Sequence, residues 1–103
     1  MYLSIENGYI ISGSDDKTIR VCNNYNTLNE LVGHTKPVRA LCQISNSLFA
    51  SASFDKTIKI WDINNMNLVQ TLEGHQASVI CILLHSSGYL ISCSNDHTIK
   101  IWK

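Results

Sequence analysis

SGSDDKTIRVC at 12–22, SASFDKTIKIW at 51–61 and SCSNDHTIKIW at 92–102 are three versions of one phrase. Their leading serines, Ser12, Ser51 and Ser92, stand 39 and 41 residues apart, and Gly33-His34 and Gly74-His75 precede the second and third versions. A repeat of about 40 residues means a modular architecture, in which each unit needs its neighbours to bury an apolar face. Such a plan favours a surface for partners over a single catalytic pocket.

Within and around the phrase, apolar residues alternate with polar ones. In TIKIW, Ile58 and Ile60 fall on one face while Thr57, Lys59 and Trp61 fall on the other, which is the two-residue period of a strand. Turn residues bound these runs. Asn7-Gly8, Ser45-Asn46-Ser47 and Ser86-Ser87-Gly88 precede the serine-rich strands, and Asp16-Lys17, Asp55-Lys56 and Asp96-His97 lead into the TIxx strands. No stretch of ten or more residues has a helical stripe, so the chain reads as all-β.

Each unit resolves into four short strands, a to d. The first is expected at 2–5, 9–13, 18–23 and 28–32, and the second at 38–44, 48–53, 57–62 and 68–73. The third has 79–84, 89–94 and 98–102 without a strand d. The units divide at 1–34, 35–75 and 76–103. An isolated four-stranded meander leaves both faces wet, and stacking side by side buries them.

Composition narrows the function. The 103 residues hold 8 basic and 8 acidic side chains and are 45% hydrophobic, so charge gives no case for nucleic acid or an anionic membrane as partner. No apolar run reaches membrane-spanning length, and the N-terminus lacks a basic leader and carries Glu6, which argues against a signal peptide. Cys22, Cys42, Cys81 and Cys93 show no CxxC pair and fall inside expected strands. They read as buried free thiols in a reducing compartment, cytoplasm or nucleus, and no metal or other cofactor is expected.

The phased set of Gly-His, Ser, Asp and Trp resembles the WD-repeat β-propeller family over essentially the whole chain. His34 to Ser51 and His75 to Ser92 are both 17 residues, Ser to Asp is 4 and Asp to Trp is 6 in each, and Trp61-Asp62 is the dipeptide that names the family. The resemblance implies a buried hydrogen-bond chain at these positions. Side-chain chemistry fits it. Indole only donates, a hydroxyl accepts and passes a proton on, and imidazole accepts from the hydroxyl and donates to a carboxylate. The polarity is then Trp61 to Ser51 to His34 to Asp55, and Trp102 to Ser92 to His75 to Asp96. Ser12 and Asp16 are what the first unit keeps of the set, since Cys22 takes the Trp position.

Ser, His and Asp together also raise a hydrolase reading. It is disfavoured because the set recurs with the fold, its serine is tied to a Trp, and no nucleophile-elbow glycines surround it. His85 and His97 are read as a strand end and a solvated turn. Arg20, Lys59 and Lys100 recur on strand c and are expected to cover apolar neighbours with their stems while their heads reach water.

By gapless alignment Met1 stands opposite Ala40, inside a strand, so the expected inventory is abcd-abcd-abc with the first strand clipped. Family propellers close with about 4–8 blades, and three cannot. The chain is expected to be a segment of a larger propeller, to self-assemble into a composite ring, or to persist as an open monomer, with apolar end faces. The family implies a protein-interaction scaffold, with substrate recognition in a ubiquitin ligase or a signalling complex as an alternative. It places partners at the residues before the phased Asp (Asp15, Phe54, Asn95) and at the start of strand a (Pro37, Arg39, Ala77, Ile80). Phe54 and Arg39 have the strongest hot-spot chemistry.

Overall fold

A computed structural model describes residues 2–4, 9–23 and 26–102. Eleven strands run in chain order: β1 (Tyr2–Ser4), β2 (Tyr9–Gly13), β3 (Ile19–Asn23), β4 (Asn26–Leu31), β5 (Val38–Gln43), β6 (Leu48–Ser53), β7 (Ile58–Asp62), β8 (Asn67–Leu72), β9 (Val79–Leu84), β10 (Leu90–Ser94) and β11 (Ile99–Trp102). They form antiparallel meanders ordered β1-β2-β3-β4, β5-β6-β7-β8 and β9-β10-β11, and the described residues include no helix. The all-β, open stack of four, four and three strands matches the expected class. In particular, no helix among the described residues is long and apolar enough to cross a membrane.

Strand ends differ from expectation by a residue or so, and one shift has a clear cause. β7 begins at Ile58 because the Thr57 backbone N–H and hydroxyl donate to Asp55 Oδ1, at 2.9 and 2.6 Å, instead of joining the ladder. Thr18 and Thr98 bond Asp16 and Asp96 in the same way, delaying β3 and β11. Each of these hairpins turns through Lys17, Lys56 or His97 at φ 75°, 76° and 68°, and that residue's N–H returns to Ser14, Ser53 or Ser94 O. This is a tight turn followed by one left-handed residue. Ile5, Asn7, Gly8 and Lys103 lie outside the described residues.

The middle sheet is buried on both faces. Phe49, Trp61 and Ile63 meet Ile11, Ile19, Val21 and Leu31 of the first sheet. On the reverse, Ala50, Ala52, Ile58 and Ile60 meet Val79, Ile82 and Leu90 of the third. Strand periodicity sorts the TIKIW side chains between these two cores, as the sequence suggests.

On the far side of the third sheet the same phrase has a different fate. Ile58 and Ile60 are 0% and 8% exposed, whereas their counterparts Ile99 and Ile101 are 72% and 60% exposed. The cysteines follow the same logic and correct the expectation that all are buried. Cys81 is exposed and Cys22, Cys42 and Cys93 are half-buried. Cys81 and Cys93 share a cross-strand row with Ile99 on that uncovered face.

Two isoleucines in identical local sequence thus isolate the value of being covered. Ile60→Ala is expected to cost about 2–5 kcal/mol. Ile101→Ala should stay within about 0.5 kcal/mol of the parent. Urea denaturation of both variants measures the difference.

Candidate functional site

Residues from four segments converge at the edge of the first core. The Trp61 indole N–H on β7 donates to Ser51 Oγ on β6 at 2.8 Å. Ser51 Oγ lies 2.6 Å from His34 Nε2, and His34 Nδ1 lies 2.7 Å from Asp55 Oδ2. Because indole can only donate, the Ser51 proton goes to Nε2, and Nδ1–H donates to the carboxylate. The third sheet repeats the arrangement. Trp102 to Ser92 is 2.9 Å, Ser92 to His75 is 2.8 Å and His75 to Asp96 is 3.1 Å. The rings of His34 and Trp61 meet edge to face, with centroids 6.4 Å apart.

Glycine precedes each histidine for its own reason: at Gly74 the backbone takes φ 153°, and at Gly33 the Trp ring lies against the chain. A Cβ on Gly33 would come within 3.1 Å of Trp61 Cη2. His34, Ser51 and Trp61 are all buried, and no buried side-chain nitrogen or oxygen among the described residues lacks a partner. Trp102 is only half-buried. It forms one wall of an open cleft of about 540 Å³, shared with Ile60, Leu72, Leu84 and Leu90.

Burial works against the Asp55 carboxylate. The bonds from His34 and Thr57 outweigh that cost and hold its pKa well below the usual carboxylate range. For Asp96, the Thr98 hydroxyl is the largest cause of the lowering, followed by the Gln76 backbone N–H. In the first sheet Asp16 is exposed, and its pKa is lowered to about 2, chiefly by the Thr18 hydroxyl and backbone N–H. There the Arg20 guanidinium takes the second carboxylate oxygen at 2.9 Å, the role His34 fills for Asp55. Ser12 sits half-buried on β2 opposite Arg20.

Further residues belong to this frame and were not singled out from the sequence. Ser53 Oγ lies 3.0 Å from both the Lys36 and Pro37 carbonyls and accepts the Asp55 N–H at 3.0 Å. Ser94 does the same with Ala77 O and Asp96 N. Their signal was the second serine of SGS, SAS and SCS, which recurs in all three phrases. Lys59 and Arg20 on strand c also have partners on the neighbouring outer strand. Lys59 Nζ donates to Thr71 Oγ1 on β8 at 3.1 Å, and Arg20 approaches Glu30 on β4 at 3.8 Å.

Chemically, the Ser-His-Asp arrangement differs from a triad in one decisive respect. Ser51 is fully buried and its oxygen already accepts from an indole, so no substrate carbonyl can reach it. No group of three or more His, Cys, Asp or Glu residues able to hold a metal occurs among the described residues.

The structure gathers the partner-site candidates at one end of the sheets. β5 starts opposite the end of β6, at Val38 against Ser53, so strand-a starts lie beside the b–c hairpins. Phe54 N–H donates to Pro37 O at 3.1 Å and Asn95 N–H to Ser78 O at 3.0 Å within their sheets. Val38 N–H to Ser14 O, at 3.2 Å, and Ser78 Oγ to Phe54 O, at 3.4 Å, cross between sheets. Asp15, Arg39 and Asn95 are exposed, and Pro37, Ala77 and Ile80 are half-buried. Phe54 is 38% exposed and lies outside both core clusters.

The family model "WD domain, G-beta repeat" matches residues 2–23, 25–62 and 66–103. The second and third matches each begin with the outer strand of one sheet and end with the third strand of the next. A 63-residue stretch is 41% identical to Cell division control protein 4 of Saccharomyces cerevisiae, covering 59% of this chain and 8% of that protein. Ubiquitin fusion degradation protein 3 homolog of Caenorhabditis elegans is 47% identical over 53 residues, covering 52% of this chain and 6% of its own length. The chain thus spans a small part of the curated relatives it matches. Among solved structures, the WD40 beta propeller domain of Doa1 superposes with a TM-score of 0.89 at 34% identity, over 97% of this chain and 34% of that one.

Removing the buried carboxylate should leave His34 Nδ1 without its acceptor. Asp55→Ala is expected to lose about 1–3 kcal/mol or more in urea denaturation. Asp16→Ala, at an exposed site, should lose less. Because the folded Asp55 pKa is depressed, its contribution is complete above the ordinary carboxylate value of about 4 and is lost as pH falls toward the folded value. The stability gap between the parent and Asp55→Asn should therefore shrink between about pH 5 and pH 2.

Proposed function

Since this chain belongs to the WD40-repeat family, we propose that it is a protein-interaction module, with its partner surface at the b–c hairpin end of the sheets. The observation that carries this reading is the placement of Phe54 and Arg39. Both stand exposed at one end of the best-buried sheet, Phe54 in the β6–β7 hairpin and Arg39 at the start of β5, and neither has a part in the Trp-Ser-His-Asp chain. An aromatic and an arginine close together are the side chains that most often dominate a protein interface. Asp15, Pro37, Ala77, Ile80 and Asn95 extend the surface across the three units, divided at 1–34, 35–75 and 76–103. The partner is a protein or peptide, since balanced charge offers little to a phosphate backbone. The histidines, serines and aspartates are structural in this reading, and the module is not an enzyme.

The solved propeller that this chain resembles is about three times as long, judging by the 34% of it that is matched. That share supports a working unit that is a larger ring, made of further repeats or of several copies of the chain, in the cytoplasm or nucleus. A narrower reading, recognition of a substrate for ubiquitin attachment, draws on the ubiquitin fusion degradation relative.

Affinity capture with mass spectrometry, comparing the parent with Phe54→Ala and Arg39→Ala, tests the surface. A partner lost at least tenfold with either variant, while the urea midpoint is unchanged, is the expected outcome. Unchanged capture would overturn this placement. A lowered midpoint with Phe54→Ala would assign that ring to packing. Ubiquitin-ligase subunits among the proteins lost would select the narrower reading.

A further inference from the structure

We infer that the partner presents an acidic side chain to Arg39: an aspartate or glutamate of an extended peptide pairs with the guanidinium, and its apolar neighbour lies against Phe54 and Ile80. This rests on the partner surface at the b–c hairpin end and gives that surface a chemistry.

A β-bulge sets Arg39 apart from the rest of β5. Val38 opposes Ser53 and Ala40 opposes Ala52, so Arg39 has no opposite on β6. The extra residue also changes the faces. Ala40 and Cys42 pack toward the third sheet and Leu41 toward the first, and plain alternation would put Val38 with Ala40. Val38 packs toward the first sheet instead, which leaves Arg39 in neither core. β9 repeats the device at Ile80, between Val79 opposite Ser94 and Cys81 opposite Cys93. Bulges re-aim side chains in this way. β5 and β9 lie beside each other, so the two re-aimed residues stand on adjacent first strands.

Phe54 lies between them. Its N–H donates to Pro37 O at 3.1 Å on the β5 side, and its carbonyl accepts from Ser78 Oγ at 3.4 Å on the β9 side. Lys36 and Arg39 make the β5 side cationic, while Ala77 and Ile80 make the β9 side apolar. Lys36, Arg39 and Lys56 are exposed, and none of their side chains has an ion pair or hydrogen bond among the described residues. The nearby acids are already engaged. Asp55 Oδ1 accepts the Thr57 N–H and hydroxyl, and Oδ2 accepts from His34 and the Thr35 N–H. Asp96 is held by His75, Gln76 and Thr98, and Asp16 by Arg20. Asp15, on the hairpin of the first sheet, is exposed and marks the side from which an acidic group is turned away.

A carboxylate suits this site better than a phosphoryl group. Arg20 and Arg39 are the two arginines of the chain, and Arg20 is taken. One guanidinium fork matches one carboxylate, whereas a phosphoryl group brings up to two negative charges and three acceptor oxygens. The buried Asp55 carboxylate below adds to the cost of a dianion. The site belongs to the middle unit, with a sheet packed on either side, so units added beyond the outer sheets leave this end open.

Short random peptides displayed on phage are selected on the 103-residue chain. Clones that also bind the doubly substituted chain, Phe54→Ala with Arg39→Ala, are discarded. Retained clones should be enriched in aspartate or glutamate beside an apolar residue. By fluorescence anisotropy, a synthetic peptide from the strongest clone should bind Arg39→Ala and Arg39→Gln about tenfold more weakly, at an unchanged urea midpoint. Changing its acid to lysine should abolish binding to the parent and restore it to Arg39→Glu. Retained clones without acids, or acidic peptides indifferent to Arg39→Ala, would overturn the inference and leave the Phe54 surface standing. A phosphoserine in place of the acid that binds about tenfold tighter would overturn the assignment of a carboxylate. If no clone is retained, the partner surface itself fails, and the acidic partner with it.

Discussion

Four side chains that cannot be buried singly are buried together, and this condition organises the sheets. Indole, hydroxyl, imidazole and carboxylate each lose water on folding, and each carries a penalty unless its neighbour is in place. Trp61, Ser51, His34 and Asp55 meet it with each polar group directed at the next. They come from a strand, the neighbouring strand, the connection entering the sheet, and a hairpin. Satisfying them therefore fixes how those segments lie relative to one another. Gly33 is part of the same condition, because the connection must run against the Trp61 ring to deliver His34.

The first sheet shows what replaces that condition when its members are missing. Asp16 still holds its hairpin through Thr18, but its second oxygen faces Arg20, which also approaches Glu30. These groups are exposed, and surface ion pairs of this kind contribute little. The hairpin is kept, while the tie to the preceding connection is not. The first sheet owes its order mainly to Ile11, Ile19, Val21 and Leu31 packing on the second.

Fold class, sheet order and the membership of the polar chain were legible in the sequence because all three repeat. Two copies at identical offsets separate signal from coincidence in a way that one copy cannot. What remained hidden depends on neighbours, not on local pattern. Ile60 and Ile101 share the phrase TIKIW, yet one is buried and the other open, and alternation cannot say which face another sheet will cover. The exposure of Cys81 escaped for the same reason. Lys59 escaped because its partner, Thr71, belongs to a strand outside the repeated phrase. Thr57, Thr98 and the second serine of each phrase did recur, but strand propensity masked their role in capping the hairpins.

The family's repeats and the sheets are out of step by one strand. The segment 25–62 supplies β4, the outer edge of the first sheet, before it builds β5, β6 and β7 of the second, and 66–103 does the same one unit later. During synthesis, each repeat leaving the ribosome finishes the sheet behind it before starting its own, in the N-terminal-first order in which chains emerge. His34 is therefore already waiting when Ser51 and Asp55 appear. Duplicating or deleting one repeat in a gene would preserve this overlap, because every join would still pair an outer strand with an unfinished sheet. An array built this way can change length by whole repeats without exposing a seam between them.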